Sequence, residues 1–361
     1  MKQVKNFILF ICIALIFITA CSNSKEPPAI AKEELKDKAK LRLSMWLPEW
    51  QNQLALEDVQ NSQQGLQDIR VFGAYFNYQD ELLLTDSAVD MLQQTQQQYN
   101  ESHHVILTLI NDYVTDNASS VQKDSTLLHR LLQDSAARKK HINNILQVVD
   151  QYQPDGIEID YEKIAKEDLS KYVQFLKELY RELAKKNVTL HVVLEPSFPF
   201  DVKLPNGPSY TVMAYNVHGY HSGPGAKATF TFLNDLIKKI KKSNQKLAIA
   251  FATGGFDWVA QGNTVALTEL EAEKVLAETN ANKKRDKASG AVYFTYTDSS
   301  NVSHEVWYAD QETLEKWVKY VQKKSYHDVV LWRAGGLGVK TLHWISEQET
   351  GERSSPPKNH Q

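Results

Sequence analysis

The chain has 361 residues, 42% of them hydrophobic, and a formal net charge of −3. That length suits one large α/β barrel or two ordinary domains. Acidic and basic residues are interspersed without a basic stripe or tail, which excludes a nucleic-acid surface. Both cysteines, Cys12 and Cys21, lie near the N-terminus, so the rest of the chain has no disulfide, no cysteine nucleophile and no cysteine-based metal site.

Lys2 and Lys5 precede an apolar run from Phe7 to Ala20, and Cys21 follows. The run is short for a membrane span and reads as an export signal over residues 1–20. Ile18-Thr19-Ala20-Cys21 resembles the bacterial lipoprotein lipobox. The resemblance implies lipidation of Cys21 and an extracytoplasmic protein held at the membrane by that lipid. A signal anchor that is never cleaved is the alternative. Residues 21–40 are polar, carry Pro27-Pro28 and mixed charge, and read as a tether.

From Leu41 onward, strand-like and helix-like runs alternate. The expected strands are Leu41–Leu47, Asp68–Phe76, His103–Ile110, Gly156–Tyr161, Val188–Glu195, Tyr210–Asn216, Lys246–Thr253 and His327–Arg333. Several are continuous apolar runs, such as Val329-Val330-Leu331-Trp332, as in parallel strands buried on both faces. Helical spacing is expected over Leu127–Gln151, Leu169–Lys185, Phe232–Lys242 and Leu314–Lys323. Eight strands with crossovers define the α/β class and a (β/α)8 TIM barrel over residues 41–347. A doubly wound open sheet is the runner-up, but no glycine-rich phosphate loop follows the first strand. The connection between strands seven and eight is too long for a simple crossover. It contains a helix near Thr268–Thr279 and a hairpin, Ala291–Thr297 and His304–Tyr308, turned by Asp298-Ser299-Ser300-Asn301. We read a small α+β insertion over residues 259–309. The polar stretch 348–361 reads as a disordered tail.

The chemistry gathers in Asp155-Gly156-Ile157-Glu158-Ile159-Asp160-Tyr161-Glu162. Side chains alternate across a strand, so Glu158, Asp160 and Glu162 project in a row from one face. Like charges in line repel. Such a row is tolerable where function uses shifted carboxyl pKa values. In a barrel, catalytic groups sit at the C-terminal strand ends, which places Glu162 outermost and Asp160 and Glu158 deeper. A carboxyl beside other carboxylates holds its proton toward neutral pH, as a general acid requires.

This stretch closely resembles the D-G-x-D-x-D-x-E signature of glycoside hydrolase family 18, the chitinase-like family. Met213-Ala214-Tyr215-Asn216 resembles its sixth-strand M-x-Y-D, Gly255-Phe256-Asp257-Trp258 the end of its seventh strand, and Val330-Leu331-Trp332-Arg333 its eighth. The resemblance implies a glycosidase cleaving β-1,4 bonds of N-acetylglucosamine-containing glycans, peptidoglycan or a chitin-like polymer, by substrate-assisted retention. It implies Glu162 as acid and base, Asp160 as orienter of the substrate acetamido group, Tyr215 as donor to the acetamido carbonyl, and Trp332 as the floor under the sugar. Asp155, Glu158 and Asn216 fall in supporting positions and Met213 at the binding surface. Two departures stand out: Glu158 replaces the usual second Asp, and Asn216 replaces the sixth-strand Asp. Leu107-Thr108-Leu109-Ile110-Asn111-Asp112 stands where typical chitinases carry S-x-G-G, a style closer to the spore- and cell-wall-lytic branch. The other class open to this sequence is a barrel that binds such sugars without cleaving them.

Further candidates are weaker. Glu195, ending the fifth strand, lines the cleft or forms a salt bridge. Trp46 and Glu49 at the end of the first strand are rim or core, and Trp258 is substrate-binding or packing. No H-E-x-x-H or related spacing occurs, so neither metal nor cofactor is expected.

Overall fold

Eight parallel strands close on themselves. They are β1 (Arg42–Pro48), β2 (Leu66–Phe76), β3 (His104–Val114), β4 (Gly156–Asp160), β5 (Thr189–Leu194), β6 (Ser209–Met213), β7 (Leu247–Ala252) and β8 (Asp328–Trp332). Each pairs with the next, and β8 returns to β1 in register from Arg42↔Asp328 to Met45↔Leu331. The computed structural model describes residues 40–114, 120–260 and 262–348. The expected export signal, Cys21, nearly all of the tether and nearly all of the tail lie outside the described residues. Among the described residues no helix is long and apolar enough to cross a membrane.

Two apolar layers follow from strand alternation. Outward-facing side chains such as Ile157, Ile159 and Tyr161 pack against the surrounding helices. The helix Leu169–Ala184 shows why it docks there: Tyr172, Phe175, Leu176, Leu179 and Leu183 fall on one stripe and are buried. Each such side chain contributes on the order of 1.5–3 kcal/mol. Inward-facing Trp46, Phe72, Ile110, Val193, Met213, Tyr215 and Val330 fill the barrel lumen. The catalytic row therefore shares its face with the lumen, as the two-residue period requires.

Two local expectations are corrected. The single helix over Leu127–Gln151 is two helices, Ser125–Leu132 and Ser135–Tyr152. Asp134 separates them, because its carboxylate accepts from the backbone N–H of Ala136 and Ala137, both at 2.9 Å, and so starts a new helix. The insertion begins before residue 259. Gly254–Val259 belongs to a five-stranded antiparallel sheet with Thr264–Leu267, Ser303–Ala309, Val292–Thr297 and Lys284–Arg285. Gly254 has φ +58 and sits 2.4 Å, measured from an added Cβ, from the Leu267 carbonyl, so only glycine fits this corner. The helix Glu269–Thr279 adjoins the sheet, and Ala272, Val292, Phe294, Val306 and Tyr308 form a separate small core. The hairpin turn is held by Asp298, whose Oδ1 accepts from the N–H of Ser300 and Val302.

Candidate active site

Glu162 stands two residues beyond the end of β4, and its backbone is fixed from the neighbouring strand. Asn111, fully buried on β3, accepts from the Glu162 N–H at 2.9 Å and donates to its carbonyl at 3.0 Å. This double bond of one amide to one residue sets where the carboxylate emerges. The side chain opens into a cleft of about 480 Å³ at the C-terminal end of the barrel. Asp160, Met213, Tyr215, Asn216, Trp332, Glu49 and Trp50 line the same cleft. The strand thus brings Glu162 and Asp160 together with the three sixth-strand candidates and with Trp332.

Asp160 is 6% exposed, and its Oδ1 is buried without a hydrogen-bond partner among the described residues. Burial, then Glu162 and Glu158, push its carboxyl well above the usual 3.8. Burial also raises Glu162. Lys123 opposes that rise by ion-pairing with Glu162 Oε2. Lys123 is itself positioned by β3, since its backbone N–H donates to Asp112 Oδ1 at 2.9 Å. Nothing in the local sequence marks Lys123, because its role exists only once the loop after β3 folds over β4. Replacing Lys123 with Met removes the charge that lowers the Glu162 pKa. The alkaline limb of kcat/KM, where the general acid is lost, is then expected to move to higher pH. A pH–rate profile checks this, and an unmoved limb would show that Lys123 has no hold on the acid.

Glu158 plays a different part from its neighbours in the row. It is fully buried beneath the cleft and accepts from Trp46 Nε1 at 2.5 Å and Thr108 Oγ1 at 2.9 Å. Arg70 on β2 adds a buried ion pair to its Oε2. Its charge is therefore matched across the lumen. Losing Arg70 would leave an uncompensated buried carboxylate, a defect that typically costs about 3–5 kcal/mol. Arg70 was legible in principle, as a lone charge inside the apolar run Ile69-Arg70-Val71.

Several candidates stand elsewhere. Trp46 is 1% exposed and lies under the floor, edge-on to Trp332 at 5.9 Å, as a donor to Glu158 and not a sugar contact. Trp50, 51% exposed, is the tryptophan after β1 that lines the cleft. Asp155 precedes β4 at the opposite end of the barrel, where its Oδ2 accepts from Val105 N–H at 2.9 Å. Trp258 is in the inserted sheet, not at the end of β7, and its Nε1 donates to the Ser222 carbonyl at 2.9 Å. Glu195 follows β5 and accepts from the Lys163 N–H at 2.7 Å, where its charge raises the Glu162 pKa. Trp332 and Arg333 are joined by a cis peptide bond. Cys21 lies outside the described residues.

A closed parallel barrel with a buried carboxylate pair at the C-terminal end of β4 defines the class, a barrel glycosidase. The sequence matches the model of glycosyl hydrolases family 18 over residues 119–336, more than half of the chain, and the protein belongs to that family. Among curated relatives, the uncharacterized glycosylase YvbX of Bacillus subtilis is 27% identical over 242 residues, covering 62% of this chain and 67% of the relative. The cortical fragment-lytic enzyme of Bacillus cereus is 24% identical over 244 residues, covering 62% of this chain and 56% of that enzyme. The match thus spans between about half and two thirds of these relatives. Among solved structures, the Bacillus cereus spore cortex-lytic enzyme SleL superposes with a TM-score of 0.74 at 19% identity, covering 86% of this chain and 74% of that one. The class V chitinase from Nicotiana tobaccum gives 0.68 at 16% identity, covering 86% and 99%. These two likenesses establish the fold.

Proposed function

We propose that the protein is an extracytoplasmic, lipid-anchored glycosidase. It cleaves β-1,4 bonds beside N-acetylglucosamine in peptidoglycan or a chitin-like glycan by substrate-assisted retention. The observation that carries this reading is the buried, unpartnered Asp160 Oδ1 beside Glu162, in a cleft that also holds Tyr215 and Trp332. An acceptor without a donor in the free protein is suited to an N–H that arrives with the substrate. In this mechanism Asp160 takes the acetamido N–H, Tyr215 donates to the acetamido carbonyl, and that carbonyl oxygen attacks the anomeric carbon. Glu162 gives its proton to the departing glycosidic oxygen. The resulting oxazolinium ion is opened by water, whose proton returns to Glu162. The two carboxyls stand two residues apart in one stretch of chain, Asp160 at the end of β4 and Glu162 just past it, which suits this division of labour. Conventional retention places its acid and nucleophile on opposite sides of the scissile bond.

Hydrolysis of a chromogenic N-acetylglucosaminide and of purified peptidoglycan tests the activity. A thiazoline analogue of the oxazolinium ion is expected to inhibit competitively. Turnover that the thiazoline leaves untouched would point to an enzyme nucleophile instead. The anchor is a separate claim resting on Ile18-Thr19-Ala20-Cys21. Labelled palmitate is expected to be incorporated into the wild type and not into Cys21→Ser, and a wild type that takes up no label, or a variant that takes up as much, refutes lipidation at that residue.

A further inference from the structure

Beyond Trp332, where Arg333 meets the cleft residue Trp50, two cations act on one another with no ion-pair partner among the described residues. Arg333 follows β8. Its guanidinium lies over the ring of Trp50, 5.8 Å from the centroid. Among the described residues its one side-chain hydrogen bond is from Nη1 to the neighbouring Ala334 carbonyl at 3.2 Å. Lys227, in the loop after β6, donates Nζ to the Thr253 carbonyl at 2.7 Å and lies over Phe256 at 5.0 Å. Thr253 links the pair, because its hydroxyl also donates to the Arg333 carbonyl at 2.8 Å and accepts from the Arg333 N–H at 2.9 Å. Both side chains are half-buried. Among the described residues no carboxylate forms an ion pair with either. The acids whose charges act on Arg333 are Glu271 and Asp58, neither of them ion-paired with it. Both are engaged elsewhere, Glu271 by the Thr268 N–H at 2.7 Å and Asp58 by the Gly335 and Leu337 N–H groups at 2.7 and 3.1 Å.

Two desolvated cations that repel each other are costly unless something anionic joins them. Burial, then Arg333, lowers the Lys227 pKa to about 7, as expected of a cation awaiting an anion. Flat apolar faces flank the place: Trp50, which also lines the cleft, and Tyr220, 69% exposed and packed edge-on against Phe256 at 5.0 Å. A fork-shaped guanidinium beside an ammonium suits the two oxygens of a carboxylate.

We propose that Arg333 and Lys227 form a subsite for a carboxylate borne on an N-acetylated sugar, the lactyl carboxylate of muramic acid being the simplest case. The inference rests on the glycan reading of the cleft and deepens it: this chain prefers an anionic, peptidoglycan-type strand over neutral chitin-type oligomers. The lactyl ether carries the carboxylate away from the ring, so the sugar can lie in the cleft while its acid reaches the two cations.

The test compares a muramic-acid-containing disaccharide with its methyl ester, which differs only in the charge. Binding is measured by titration calorimetry on full-length Glu162→Gln protein, where no turnover consumes the ligand. The acid is expected to bind about ten-fold more tightly than the ester. In the Glu162→Gln background, adding Arg333→Gln or Lys227→Met is expected to collapse that ratio. Equal binding of acid and ester overturns the subsite, and so does a ratio that survives both added substitutions. The ester comparison needs no change at either cation, so a misfolded variant leaves the test intact. If the protein binds chitooligosaccharide but neither disaccharide, the subsite falls and the glycan reading stands. If it binds no N-acetylated glycan, the glycan reading falls and takes the subsite with it.

Discussion

Glu162→Gln is expected to lower kcat by roughly 10²–10⁴-fold while glycan binding persists, because it removes the proton donor and keeps the shape. Asn111 grips the Glu162 backbone, so the amide emerges where the carboxyl did. The leaving group provides a sharper readout. A dinitrophenyl glycoside departs without needing a proton, so its hydrolysis should suffer far less than that of an oligosaccharide. Initial rates on both substrates check this. Equal losses on the two would mean that Glu162 does not act as acid in glycosidic cleavage. Activity within ten-fold of wild type on the oligosaccharide would assign the proton donor elsewhere, among the other carboxylic acids lining the cleft, Asp160, Asp112 and Glu49.

Asp160→Asn is expected to move activity and stability in opposite directions. Activity falls because an amide offers the acetamido N–H a weaker acceptor and the oxazolinium cation no charge. Stability rises because the carboxylate it replaces is buried with one oxygen unsatisfied. The pH dependence follows from the raised pKa. At acid pH Asp160 is protonated in both the folded and the unfolded chain and carries no penalty. As pH rises past 3.8 the unfolded chain ionises freely, whereas the folded protein resists. Asp160 therefore weakens the fold increasingly toward neutral pH, and the gain in Tm from Asp160→Asn should be small near pH 4 and largest at neutral pH. Thermal melts across that range measure it. A variant less stable than wild type at neutral pH would mean that the carboxylate is satisfied in solution.

The barrel was legible because its strands obey two simple patterns. Runs such as Val329-Val330-Leu331 announce parallel strands buried on both faces, and Glu158-x-Asp160-x-Glu162 obeys the two-residue period. Where the reading went wrong, a local signal had been outweighed by a broader one. Apolar spacing carried the helix through Asp134, although an aspartate before Ser135-Ala136-Ala137 is an ordinary helix start. Gly255-Phe256-Asp257-Trp258 was assigned to β7, although Gly254-Gly255 marks a chain changing direction. The site was legible along β4 and β6, where neighbours in sequence are neighbours in space. It was illegible wherever partners come from afar. Arg70 reaches Glu158 across the lumen, and Lys123 reaches Glu162 from a loop. Period and composition do not name the partner in such a meeting, even where, as at Arg70, a lone charge inside an apolar run marks one end of it. The row's order already sets Glu162 outermost; the structure adds that Arg70 ion-pairs with the deepest, Glu158, and leaves the other two for chemistry.

The joint between β7 and the inserted sheet has a kinetic consequence. One residue, Thr253, separates Ala252 from Gly254, and it is bonded through its N–H to the Trp332 carbonyl of β8 and through its hydroxyl to the Arg333 carbonyl just past it. At the other end, only Asp310 lies between the strand ending at Ala309 and the helix starting at Gln311. A sheet fastened this closely at both ends has little slack for moving against the barrel, whose strands and adjoining loops line the cleft. Glycans should then meet a ready-made groove, with encounter rates set by diffusion and chain orientation and nearly independent of oligomer length. Discrimination between short and long strands would reside in how slowly they leave.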